Sequence, residues 1–157
     1  MYLVFCSMRI YVDTSVFGGC FDNEFEFWSN QLIDLFILGV HKAVISEVSE
    51  FELRFAPDHV SKILSNIPGK NLEIVRFSNE AGILSDHYIK EKIVTKKSLA
   101  DTQHIAIATI EKVDLLVSWN FKHIVNYDKI RLYNSVNLKY GYSVLEIRNP
   151  RDLIHEK

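Results

Sequence analysis

The sequence predicts an α/β fold with a central, mostly parallel sheet. Short apolar runs alternate with longer segments whose apolar residues repeat at the helical period. The run Ile10-Tyr11-Val12 is apolar, as a strand covered on both faces would be. Strands that alternate with helices imply parallel pairing through right-handed crossovers. No internal repeat, low-complexity segment or linker interrupts the pattern.

The elements follow in order. Residues 9–13 read as the first strand, and Gly18-Gly19 as a loop. A helix is expected over 23–38, because Phe25, Trp28, Leu32, Leu35 and Phe36 recur with helical spacing; Gly39 suits its C-cap. Residues 43–45 form the second strand, and Ser46 opens a short helix carrying Glu47, Glu50 and Glu52. Pro57 fits the first turn of a helix over 57–66, and Pro68-Gly69 breaks the chain. Residues 72–77 are the third strand and 79–93 a helix, followed by the basic stretch Lys90, Lys92, Lys96 and Lys97. Ser98 starts a helix over 98–112, and 114–119 is the fourth strand. A mixed helical region covers 121–137, residues 142–147 are the fifth strand, and 148–157 a polar tail.

At 157 residues the chain most simply makes one domain, 1–157, with residues 1–7 as an N-terminal extension or a lengthened first strand. Met1 and Met8 both stand as starts. With 48% hydrophobic and 24% charged residues, the composition is that of a globular protein and excludes wholesale disorder. The net charge of −2 excludes a uniformly basic nucleic-acid binder and leaves room for a local basic patch. Cys6 and Cys20 form no metal spacing and no disulfide framework, which favours a cytoplasmic setting. No apolar run is long enough to span a membrane, and the first seven residues lack the basic start of a signal peptide.

Four oxygen-bearing side chains stand out: Asp13, Glu52, Asp101 and Asn120. Asp13 and Asn120 end apolar strands, where open α/β sheets keep their sites. Carboxylates gathered in one pocket repel one another unless a cation lies among them. Oxygen ligands without cysteine select a hard cation such as Mg²⁺ or Mn²⁺. Each residue also has a local reading. Asp13 before Thr14-Ser15 suits an Asx turn. Glu52 lies three residues after Ser49, and Asp101 three after Ser98, as in capping boxes. Asn120 suits the N-cap of the next helix. Thr14 and Ser118 are placed to bond a carboxylate, water or phosphate, or to serve as turn residues. Lys122 and His123 suit a phosphate group or a solvated surface. His104 reads as a packed or hydrogen-bonded structural histidine, and Trp119 as core or pocket wall.

The order of these blocks carries a resemblance. Ile10-Tyr11-Val12-Asp13-Thr14-Ser15, the 45–53 segment around Glu52, the 99–108 segment opening on Asp101, and Leu116-Val117-Ser118-Trp119-Asn120 together resemble the PIN-domain family. The likeness spans residues 8–147. It implies a three-layer α/β/α fold around a five-stranded sheet and a Mg²⁺- or Mn²⁺-dependent endoribonuclease hydrolysing RNA phosphodiester bonds. Many members are toxins of toxin–antitoxin pairs, which implies an antitoxin partner and a homodimer. By the same likeness Asp13, Glu52 and Asp101 are the metal ligands. Asn120 stands where many members carry a fourth acid, a departure that bears on two-metal catalysis but leaves a one-metal site open. Glu47 and Glu50 remain alternatives to Glu52.

Two other classes compete. Asn120 and the mild acidity suit a catalytically weakened RNA-binding or protein-interaction module. An aspartyl phosphotransferase would use Asp13 as nucleophile, but Ser15 stands where the common dehalogenase pattern has a second Asp.

Overall fold

Five parallel strands form one sheet in the order β3-β2-β1-β4-β5. They are β1 (Arg9–Val12), β2 (Lys42–Ser46), β3 (Leu72–Val75), β4 (Leu115–Val117) and β5 (Ile147–Arg148). The computed structural model describes residues 6–154. Every pairing is parallel, so the expected "mostly parallel" sheet is parallel throughout. The helices are α1 (Thr14–Gly19), α2 (Glu26–Ile37), α3 (Glu47–Arg54), α4 (Asp58–Ser65), α5 (Asn79–Lys90), α6 (Leu99–Ile110), α7 (Tyr127–Lys139) and α8 (Pro150–Leu153).

The pleat of β1 sorts the core into two layers. Ile10 and Val12 face a cluster with Phe17, Leu32, Phe36 and Trp119, built on α1, α2, α4 and α8. Tyr11 faces the opposite cluster, where Leu84, Tyr88, Ile105 and Tyr133 come from α5, α6 and α7. The result is a three-layer α/β/α arrangement. From β1 the chain first builds outward through β2 and β3, then returns to add β4 and β5 on the other side. The order therefore reverses between β1 and β4, which opens a crevice at their C-terminal ends.

Several expected boundaries shift for identifiable reasons. Gly18-Gly19 is not a loop but the end of α1. Gly19 is required there by close packing: a Cβ would lie 2.5 Å from Ser29 Oγ and 2.8 Å from Trp119 Nε1. The helix expected over 79–93 stops at Lys90, because Lys92 turns into the left-handed region at φ 61° and Ile93 N–H returns to the Tyr88 carbonyl. The helical region expected from 121 begins at Tyr127, capped by Asn126; residues 121–124 form a turn instead.

The fifth strand is not 142–147 but only Ile147–Arg148. The Asn134 side chain accepts from Leu145 N–H at 2.7 Å and donates to its carbonyl at 3.0 Å, taking the bonds a neighbouring strand would make. The expected polar tail supplies Arg148 to β5, and Leu153 and Ile154 pack on the core through α8. At the other end Cys6 and Ser7 are exposed and lie outside β1. The expectation for residues 1–5 lies outside the described residues. No described helix is long and apolar enough to cross a membrane.

Candidate metal centre

The crevice between β1 and β4 holds a cleft of about 450 Å³ lined by Asp13, Thr14, Glu52, Asp101 and Asn120, with Pro57 and Val60 of the α4 region on its rim. Each acid arrives from a different element. Asp13 directly follows β1, where its backbone N–H still bonds the Val117 carbonyl at 3.0 Å. Glu52 comes from α3, Asp101 from the first turn of α6, and Asn120 from the turn after β4.

The local readings of these residues fare differently. Asp13 occupies the N-cap of α1 but makes no side-chain cap bond. Its Oδ2 instead accepts from the Ser15 and Ser118 hydroxyls, each at 2.7 Å. Both hydroxyls are themselves oriented, since Ser15 Oγ accepts from Trp119 N–H at 3.0 Å and Ser118 Oγ from Asn120 N–H at 2.9 Å. Glu52 is not part of a capping box, because the box on α3 joins Ser46 and Ser49. Ser98 makes no side-chain cap on α6, so the box expected with Asp101 is absent. Asn120 Oδ1 caps the turn after β4 through His123 N–H at 2.9 Å, while the cap of α7 falls to Asn126.

Among the α3 acids, Glu47 turns away to accept from Phe77 N–H at 2.8 Å, and only Glu52 lines the cleft. Thr14 lines the cleft as well, whereas Lys122 sits on the exposed turn outside it. Ser15 is the supporting residue that sequence reasoning missed. Its signal was present, since it follows Asp13 by two residues on the turn opening α1.

His104 is fully buried beneath the acids. Its Nδ1 lies 2.7 Å from the Tyr11 hydroxyl, and its Nε2 bonds Glu52 Oε1 and lies 3.7 Å from Asp13 Oδ1. The expected structural histidine is thus hydrogen-bonded, but its partner is a cleft acid. Burial alone would strip its proton; the Tyr11 oxygen, the bond to Glu52 and the Asp13 charge oppose that and hold its pKa well above the ordinary histidine value. Asp101 is held toward its neutral form. Burial, then the Asp13 charge, raise its pKa from 3.8 to about 6, against the pull of His104 and Asn120.

The carboxylates of this group could hold a metal ion. One ligand atom each from Asp13, Glu52 and His104 lies within 4.8 Å of the others, and Asp101 lines the same cleft. Both hydroxyls go to Oδ2, and among the described residues Asp13 Oδ1 accepts no hydrogen bond. The Asp101 pKa is raised by burial first and by the Asp13 charge second, and a cation in the cleft would offset both.

The sheet order, with the cleft at its switch point, is that of a PIN-like α/β fold. Chains in solved structures share that architecture. One belongs to VapBC2 of Rickettsia felis bound to a promoter DNA fragment: it is 15% identical, covers 90% of this chain and 98% of its own, and superposes with a TM-score of 0.56. A toxin–antitoxin complex of Klebsiella pneumoniae gives 16% identity, 73% and 88% coverage and a TM-score of 0.54. FitAcB of Neisseria gonorrhoeae gives 15%, 90% and 97%, and 0.57. No family model matches the sequence, and neither does any curated protein.

Proposed function

We propose that this chain is a Mg²⁺- or Mn²⁺-dependent endoribonuclease that hydrolyses RNA phosphodiester bonds, acting as the toxin of a toxin–antitoxin pair. The observation that carries this reading is the convergence of Asp13, Glu52 and Asp101 in one cleft at the switch point of a PIN-like sheet.

Asp13, Glu52 and Asp101 would hold the cation, which supplies an activated water and neutralises charge on the scissile phosphate. Ser15 and Ser118 hold the Asp13 carboxylate through Oδ2 and leave Oδ1 for the cation. His104 holds Glu52 by one oxygen and leaves the other for the cation. Because both of its ring nitrogens are engaged, His104 serves as an orienting donor and not as a ligand. Asn120 adds an amide beside Asp101 without adding charge. Thr14, on the cleft wall, is placed to bond water or a phosphate oxygen. Lys122 contributes positive charge outside the cleft.

Purified protein is expected to cut RNA when Mn²⁺ or Mg²⁺ is supplied, and Asp13→Asn to lose that cleavage. Equal cleavage by the variant would assign the activity to a contaminant. A second reading, a weakened RNA-binding or interaction module, is favoured by Asn120. Calorimetric titration separates the two: metal uptake that depends on Asp13 counts against the module, and no uptake supports it.

The complexes among the structural neighbours support an antitoxin partner, and a homodimer belongs to the same reading. Co-purification with the product of an adjacent small gene tests the first. Free Cys6 and Cys20 accord with a cytoplasmic setting.

A further inference from the structure

Beside the acidic cleft lies a second pocket of about 520 Å³ whose charged lining is Lys92, Lys96 and Lys129 with His123, and which has no acidic side chain in its wall. Two basic segments that are far apart in sequence meet there. One is the stretch between α5 and α6; the other is the turn after β4 together with the start of α7. The Lys129 ammonium donates to His123 Nδ1 at 3.2 Å, spending a hydrogen bond on a neutral ring instead of a carboxylate. Among the described residues Lys92, Lys96 and Lys129 form no ion pair with an acid, although this chain has more acids than lysines and arginines. Three ammonium groups around one concavity without a counter-charge form a strongly anion-selective pocket.

The pocket is tied rigidly to the cleft. His123 N–H bonds Asn120 Oδ1 at 2.9 Å, and the buried Tyr133 hydroxyl donates to the His123 carbonyl at 2.8 Å. Asn120 therefore has one side chain serving both places: it lines the acidic cleft and fixes the histidine of the basic pocket. The His123 pKa lies below the ordinary value, through slight burial first and then the Lys129 and Lys122 charges, which accords with positive potential at this spot.

We propose that this basic pocket binds a backbone phosphate of the RNA strand whose scissile phosphate sits in the acidic cleft. The inference rests on the ribonuclease reading above. A polyanion has to approach three carboxylates, and a neighbouring site of opposite sign overcomes that repulsion and sets the direction of the strand. Ile93 and Val94 at the pocket floor give it an apolar base, so the lysine charges act in a partly desolvated setting.

The test is binding of a short labelled single-stranded RNA in EDTA, by fluorescence anisotropy across a salt series. Lys96→Gln combined with Lys129→Gln should weaken binding several-fold and flatten the salt dependence by about 0.7 in log–log slope, the value for one single-strand phosphate no longer neutralised. Lys42→Gln with Lys70→Gln, at the start of β2 and in the turn before β3, should leave the slope unchanged. In the presence of Mn²⁺ the pocket variant should raise KM and spare kcat. If the wild type cuts RNA while the pocket variant keeps the wild-type slope and KM, the pocket inference is wrong and the ribonuclease reading stands. If the wild type neither binds nor cuts RNA, the ribonuclease reading falls and takes the inference with it.

Discussion

The Tyr11 hydroxyl lies 2.7 Å from His104 Nδ1, and the opposite nitrogen of that ring bonds Glu52. A residue in the middle of the central strand thereby holds an acid on α3 in place. The same hydroxyl lies 2.7 Å from Ser46 Oγ, the N-cap of α3, so the tyrosine ties down the start of the helix as well. Tyr11→Phe keeps the packing and strands these partners. It should cost about 1–3 kcal/mol, the usual penalty for an unpaired buried polar group. A lower urea midpoint with an unchanged m-value would show it; an unmoved midpoint would remove the clamp from the account.

Asp101→Asn should stabilise the protein without metal and remove its response to metal. Burial and the neighbouring Asp13 charge already hold the Asp101 pKa up at about 6, so the carboxylate that predominates at about pH 7 is kept at a cost to folding stability. The wild type should gain about 2.7 kcal/mol when Mn²⁺ is present at about a hundred times its dissociation constant. Melting curves of both proteins, with chelator and with Mn²⁺, read this directly. A variant that melts earlier than the wild type in chelator would contradict the assigned crowding.

The pH dependence has a definite sign. Asp101 has a folded pKa of about 6 against an ordinary 3.8. Its contribution to stability is therefore complete below the lower value and is lost as pH rises through the higher one. His104 is also raised, so its contribution is complete below about pH 6.5 and falls away as pH climbs through its elevated folded value. Both groups make the metal-free protein less stable on going from about pH 5 to pH 8. Saturating Mn²⁺ should flatten that trend, because the cation replaces the proton at Asp101. Thermal midpoints that rise with pH in chelator would refute the assignment.

Gly19→Ala and Gly18→Ala should differ sharply. A Cβ at residue 19 meets Ser29 Oγ at 2.5 Å and the Trp119 ring at 2.8 Å, while one at residue 18 meets nothing within 4 Å. The first change should cost about 1–3 kcal/mol through overpacking. The second places alanine in a helix and should be neutral or stabilising by up to about 1 kcal/mol. Chemical denaturation of the pair is sufficient, and equal midpoints would rule out the close approach.

Much of this was legible in the chain. The sheet could be read because each strand is a short apolar run, and the acids because strand ends and helix starts mark where Asp13, Asp101 and Asn120 fall. What the sequence hid was mostly tertiary. Nothing local reveals that Asn134 would take the backbone bonds of Leu145 and erase most of the expected fifth strand. Nor does spacing show that His104 would reach across to Glu52, since the two are 52 residues apart and meet only through the packing of α3 on α6. The lysines between α5 and α6 read only as a basic stretch because their counterpart, Lys129, lies on another helix.

The chain has two tryptophans, and both lie in one place. Trp28 and Trp119 meet edge to face at 6.3 Å; Arg151 of α8 lies 4.2 Å above Trp28, and Trp119 is bonded to Asn120 through the backbone. The protein therefore carries its own optical probe. Its intrinsic fluorescence reports a single corner, bounded by the C-terminal helix on one side and the cleft on the other, so arrivals at Asn120 can be followed without any attached dye.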